Sequence, residues 1–156
     1  MRILPRSRKA AKGWDGNSIA TEVVDSALSL HRDLGPGLLE SVYEVLLADD
    51  LERRGLQVQR QVVVPIAFRA RTFLEGFRAD LIVERMACLE LKSVEAFSKS
   101  DPKQLRTYLR LLQMKLGLLI NFNAPLLKDG IVRIVNGLED DPYRNPLRAF
   151  APSRED

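Results

Sequence analysis

Glu90-Leu91-Lys92 closes an apolar run that begins at Met86. In a β-strand, positions i and i+2 face one side, so Glu90 and Lys92 project together while Leu89 and Leu91 face the other way. Taken alone, such a pair is a surface ion pair worth little. Asp80 changes the weighting. It sits in the preceding apolar run, Phe77 to Val83, and a turn at Glu84-Arg85 would bring it beside Glu90. Two carboxylates brought together repel unless a cation joins them. Hard oxygen ligands suit Mg²⁺ or Mn²⁺, which keep several waters and bind phosphate oxygens. At the rim of such a site, the Lys92 ammonium could hold a water or a charged phosphate. The alternative for Asp80 is an ordinary turn or edge residue.

Three further residues could join this chemistry. Glu40 opens the second helical segment, where a carboxylate suits the positive helix end whether or not it has any other role. Its angular position borders the apolar stripe of Leu39, Tyr43 and Leu47, so it could also look along a sheet toward a metal. Glu44 is expected nearer solvent. Gln104 and Tyr108 lie one helical turn apart, between an apolar stripe (Leu105, Leu109, Leu112) and a basic one (Lys103, Arg106, Arg110). A plain amphipathic helix explains them. A glutamine and a phenol beside a metal could also orient water or phosphate, and the basic stripe could meet a nucleic-acid backbone.

These residues need elements to hold them. Ile19, Val23, Ala27, Leu30 and Leu34 fall at helical spacing, with Asn17 or Ser18 as the cap. Gly35-Pro36-Gly37 forces a turn. A second helix is expected from Leu38 to about Arg54, ended by Gly55. Val58 to Phe68 is rich in valine and reads as a strand with Pro65 late in it. Thr72 to Val83 reads as a long strand with an irregularity at Gly76, and Met86 to Leu91 as a buried one. A helix from Lys103 to about Lys115, a buried strand from Leu116 to Asn121 and a weaker one from Ile131 to Val135 follow. This order predicts one α/β (α+β) domain over residues 17–137, with a mixed sheet flanked by helices. Residues 1–16 are expected to form a flexible basic tail and 138–156 a C-terminal tail.

Composition narrows the chemistry. The chain has 156 residues and one cysteine, Cys88, so neither a disulfide framework nor a thiolate zinc site can be built. His31 is its only histidine. The net charge of +3 comes from the first fifteen residues, which hold five Lys/Arg against Asp15; the remainder carries 19 basic and 20 acidic residues. Nucleic-acid affinity must therefore come from local patches rather than from overall charge. No apolar stretch reaches the roughly 18 residues of a membrane span, and no apolar segment follows the basic N-terminus as a secretory signal requires. A cytoplasmic protein is expected, with no membrane partner.

Read in order, several motifs coincide. Gly37-Leu38-Leu39-Glu40-Ser41-Val42-Tyr43 spells G-x-x-E-x-x-Y, followed by Arg78-Ala79-Asp80-Leu81, Glu90-Leu91-Lys92 and Gln104-Leu105-Arg106-Thr107-Tyr108. Gly117 to Phe122 and Leu127 to Ile131 complete the pattern. Each motif is weak alone, but over residues 18–137 the set resembles the GxxExxY family, a branch of the PD-(D/E)XK nuclease superfamily. The resemblance implies a restriction-endonuclease-like core. It implies that Asp80 and Glu90 bind Mg²⁺ or Mn²⁺, helped by the Leu91 carbonyl and Glu40, with Lys92 positioning the attacking water. Gln104 and Tyr108 match the Q-x-x-x-Y feature of RecB-like nucleases. Asp101 departs from the pattern, standing about where members carry a histidine.

Three functions compete. The first is a metal-dependent nuclease hydrolysing phosphodiester bonds in DNA, or RNA, with Asp80, Glu90, Lys92, Glu40, Gln104 and Tyr108 as its catalytic set. The second is a non-catalytic nuclease-like module that binds nucleic acid or a protein partner. The third, an enzyme for a small phosphate ester, lacks a phosphate-cradling glycine loop. A domain this small also invites a homodimer that cuts two strands.

Overall fold

In the computed structural model, residues 13–137 are described. The expected tails up to residue 12 and from 138 onward lie outside them. The elements run α1 (Gly16–Leu34), α2 (Glu40–Arg53), β1 (Val58–Phe68), β2 (Arg71–Val83), β3 (Ala87–Lys92), α3 (Ser100–Leu112), β4 (Leu116–Asn121) and β5 (Ile131–Val135). A short 3₁₀ turn, Leu127–Gly130, precedes β5. The five strands form one mixed sheet in chain order, antiparallel throughout except for the β3–β4 pair. The expected mixed sheet with flanking helices is therefore what the chain forms.

Parallel pairing requires a crossover, and α3 supplies it. The helices divide between the two faces. Tyr43, Leu47 and Leu51 of α2 and Ile19 and Val23 of α1 pack with Leu89, Leu91, Leu118 and Ile120 in one core. Leu105 and Leu109 of α3 pack with Cys88, Ile82 and Leu119 in the other. With helices on both faces, β4 is buried along its whole length and β3 except at Lys92. Each buried leucine contributes about 2 kcal/mol.

Several expectations shift. The cap of α1 is Asp15, not Asn17 or Ser18. Its carboxylate accepts from the Ser18 N–H at 2.7 Å and the Ser18 hydroxyl accepts from the Asp15 N–H at 2.9 Å, a reciprocal capping box. Gly16, expected at the end of the flexible tail, is the first helical residue, and Trp14 packs on the core. Helix α2 starts at Glu40 rather than Leu38, and its N-cap residue Leu39 is 73% exposed whereas Glu44 is 6% exposed, the reverse of their expected order. The Gly76 irregularity is a register shift opposite Val64 and Ile66. A Cβ on Gly76 would lie 2.2 Å from Ile66 Cγ1, so only glycine lets Ile66 lie flat there. Helix α3 begins earlier than expected, at Ser100, with Asp101 and Pro102 in its first turn.

Candidate metal centre

The β2–β3 hairpin turns through Glu84, Arg85 and Met86, with left-handed φ at Glu84 and Arg85 (53° and 56°) and the Met86 N–H donating to the Val83 carbonyl at 2.9 Å. Its ladder runs from Val83↔Ala87 to Leu81↔Leu89 and stops there. The next residues are Asp80 and Glu90, and at that point side chains replace backbone pairing. The Leu91 N–H donates to Asp80 Oδ2 at 2.8 Å, and the Asp80 N–H donates to Glu90 Oε1 at 3.3 Å. Each carboxylate thus holds the other strand's backbone as the strands fork. The juxtaposition of Asp80 and Glu90 expected from the sequence is realised. Cys88 belongs to the α3 core and Leu89 and Leu91 to the α2 core, so the strand's alternation sets Glu90 and Lys92 toward α3.

On the opposite side, α2 opens a cleft of about 790 Å³ at the fork, lined by Glu40, Glu44, Gln61, Asp80, Leu91 and Ser93 among others. The G-x-x-E-x-x-Y residues build its wall. Gly37 takes φ +98°, which turns the chain into α2. The Tyr43 hydroxyl donates to the Gly35 carbonyl at 2.6 Å and accepts from the Leu38 N–H at 3.2 Å, which clamps that turn. Its ring stacks on Phe122 at 4.3 Å. The turn carries Glu40 to the end of β3, where Glu40 Oε2 accepts from the Ser93 N–H at 3.2 Å and the Ser93 hydroxyl donates to the Leu38 carbonyl at 2.7 Å. Glu40 therefore shares the cleft with Asp80 while one of its oxygens is engaged by Ser93.

Two residues outside the expected set also face the cleft. Gln61 has a left-handed φ of 49° in the middle of β1, opposite Asp80. Its amide donates to Glu44 Oε1 and, at 3.4 Å, to Asp80 Oδ1. Glu44 is held in turn by Arg60, whose Nε donates to Glu44 Oε2 at 3.2 Å. The sequence does carry a sign of Glu44: it precedes Ala48 by four residues and Leu51 by seven, on the buried stripe of α2. Nothing in the sequence marks Gln61, because glycine or asparagine is the usual occupant of such backbone.

The remaining expected residues lie toward α3. Lys92 is 26% exposed and its Nζ lies 4.0 Å from Asp101 Oδ1. Asp101 also accepts from the Ser98 N–H at 2.9 Å, which ties the start of α3 to the lysine. Tyr108 stacks on Phe77 with ring centroids 4.0 Å apart. Gln104 stands one turn earlier, exposed on α3. The helix thus aligns Tyr108 with the fork's α3 side and leaves Gln104 facing solvent.

Electrostatics single out the fork. Burial, then the neighbouring Asp80 charge, pushes the Glu90 carboxyl up to about 8. Burial also raises Asp80, against the Leu91 hydrogen bond. Burial and then Glu90 raise the Tyr108 phenol, which remains a proton donor at neutral pH. Burial is the largest cause for both carboxyls, and the Lys92 ammonium lowers both without offsetting it. Among the described residues, no three His, Cys, Asp or Glu side chains form a ready-made cage. The donors brought together at the fork are instead two carboxylates. They fit an ion such as Mg²⁺, which needs only one or two carboxylates and fills the rest with water and phosphate oxygen.

A family model described as the PD-(D/E)XK nuclease superfamily matches residues 17–134. The chain belongs to that superfamily, whose nucleases generally work with divalent metals. No match is found among curated proteins or among solved structures. No helix among the described residues is long and apolar enough to cross a membrane.

Proposed function

We propose that this chain is a Mg²⁺- or Mn²⁺-dependent nuclease that hydrolyses phosphodiester bonds in nucleic acid, DNA first. The observation that carries this reading is the fork, where Asp80 and Glu90 meet with raised carboxyl pKa values and no arginine between them. Asp80, Glu90 and the Leu91 carbonyl would hold the ion. When bound, it supplies charge stabilisation for the phosphate and lowers the pKa of water. Lys92, two residues from Glu90 on the same face, orients the attacking water or steadies charge on the phosphate. Tyr108 can donate a hydrogen bond from the α3 side, and Gln104 lies where it meets an approaching backbone. Glu40 places its free oxygen in the cleft beside Asp80. The finer placement in the GxxExxY branch is supported by the roles of Gly37, Glu40 and Tyr43 in building that cleft wall.

Calorimetric titration of Mg²⁺ or Mn²⁺ into the wild type and an Asp80→Ala/Glu90→Ala variant tests the reading. Saturable binding that the variant loses is expected. The same preparations are then assayed on DNA and RNA. If Asp80→Ala and Lys92→Ala proteins cleave as well as the wild type, the nuclease reading is lost.

One observation favours a binding module without cleavage: Asp101 stands 4.0 Å from the lysine that should serve the reaction. In that case Asp101→Asn, which frees Lys92, would raise cleavage from a negligible level, with nucleic-acid binding intact.

A further inference from the structure

The described residues carry 16 lysines and arginines and 16 aspartates and glutamates, so they are neutral as a whole. The charge is unevenly placed. Residues 16–54, which form α1 and α2, hold eight acidic and three basic side chains. Residues 60–78, the β1–β2 hairpin from the cleft outward, hold four arginines and one glutamate, a net of +3, with Arg60 at the root paired to Glu44 and Arg78 to Glu75. A polyanion is repelled along the α1–α2 side and drawn to the hairpin.

The hairpin is an arm rather than a wall of the core. Beyond Val64 and Phe77, β1 and β2 pair mainly with each other, through Ile66↔Phe73 to Phe68↔Arg71. Every residue from Arg71 to Gly76 is exposed. Phe73 is 52% and Leu74 83% exposed, unusual for large apolar side chains. At the tip, Arg69 takes φ +57° and lays its guanidinium 5.0 Å over the Phe68 ring, with Arg71 exposed two residues on. The root of the arm is the site itself, since Arg60 and Gln61 line the cleft with Asp80. Pro65, on the edge strand, discourages another chain's strand from pairing there.

We propose that this arm is a nucleic-acid tether, which binds the substrate backbone away from the bond being cut. The inference rests on the nuclease reading of the fork and extends it to the substrate's path. A two-stranded ribbon fits the major groove of a duplex. Arg69 and Arg71 meet phosphates, while Phe73 and Leu74 lie against bases or sugars. The tip lies eight residues beyond Gln61, about 26 Å along an extended strand. That distance corresponds to about eight base pairs from the fork.

The test is fluorescence anisotropy in EDTA with a labelled mixed-sequence duplex DNA of about 24 base pairs and its single strand, across a salt series. The proteins are the full wild-type chain, Arg69→Ala/Arg71→Ala, Arg69→Lys/Arg71→Lys and Phe73→Ala. The alanine pair should weaken binding at least about tenfold at low salt and flatten the slope of log affinity against log salt by about 1.8, the share of two phosphates. The lysine pair should restore most of that slope. Phe73→Ala should weaken affinity with the slope unchanged, because stacking and groove contacts release no counterions. On a hairpin duplex of about five base pairs, too short to reach both fork and tip, the alanine pair should lose its effect. If the wild type binds neither probe, the tether and the nucleic-acid reading of the fork fall together. If the wild type binds and the alanine pair matches it in affinity and slope, the tether falls and the fork reading stands. If the alanine pair is silent while Leu74→Glu converts a sedimenting dimer to monomer, the arm joins two copies of this chain and the tether is wrong.

Discussion

Two clusters of carboxylates in this domain have opposite electrostatics. Glu22, Asp25 and Asp50 converge on Arg54, between α1 and α2, at 3.2, 2.8 and 2.9 Å. Asp25 first, then Asp50 and Glu22, raise the guanidinium's pKa. Asp50 is held below the usual carboxylate range, first by the Ser26 hydroxyl that donates to it and then by Arg54. At the fork, Asp80 and Glu90 are raised, and the nearby Lys92 leans toward Asp101 instead. The first cluster carries its own cation and fastens two helices. The second has two carboxyls whose ionisation burial resists even with Lys92 nearby, an arrangement that a bound cation would relieve.

Substitutions should separate the two clusters. The largest effect is expected from Asp80→Asn with Glu90→Gln, which keeps side-chain shape and removes both charges. Cleavage should fall at least about 100-fold and saturable metal binding should vanish in calorimetry. The melting temperature should hold or rise, since the cost of burying two ionisable carboxyls has been removed. A marked fall in melting temperature would make the fork a structural cluster like the other.

Next, Lys92→Ala should reduce cleavage about 100-fold while metal affinity stays within a few-fold of wild type. Parallel loss of both would move Lys92 from the reaction to the architecture of the site. Arg54→Ala should do the converse. It should cost about 1–2 kcal/mol in denaturant unfolding, because three carboxylates lose a partly buried partner, with metal binding unchanged.

Gln61→Gly sharpens the contrast within one residue. Glycine accepts the left-handed φ of 49° that glutamine bears at a cost, so the melting temperature should rise by about 2–4 °C. Metal affinity should drop several-fold, because the amide bridging Glu44 and Asp80 is gone. A rise in both would show that Gln61 does not position Asp80.

The smallest effect concerns acid. A carboxyl whose folded pKa is depressed contributes stability above its unfolded value that is lost as pH falls through the folded one. Asp50 is such a group, so Ser26→Ala should move the acid-unfolding midpoint to higher pH, by a fraction of a unit. An unmoved midpoint would mean that Arg54 alone sustains Asp50.

Local chemistry in the sequence already indicated much of the fold. Alternation in Met86 to Lys92 set Glu90 and Lys92 on one face, and the short link at Glu84-Arg85 brought Asp80 to Glu90's side. Both follow from strand periodicity and hairpin geometry, which need no knowledge of distant residues. The spacing of Glu40 and Tyr43 marked the start of α2, although the Tyr43 clamp on Gly35 and Leu38 depends on Phe122 stacking from another strand.

Other features needed the assembled tertiary structure. Glu44 became buried because Arg60 and Gln61, on a strand sixteen residues away, supply its partners. Lys92 turned toward Asp101 only once the crossover brought α3 beside β3. The outer half of β2 reads in sequence like its inner half, with Phe73 and Leu74 as apolar as Leu81 and Ile82, yet the first pair is exposed and the second buried. Periodicity fixes which face of a strand a residue occupies. What that face meets is decided by how far the neighbouring strands and helices extend, and only the tertiary structure sets their reach.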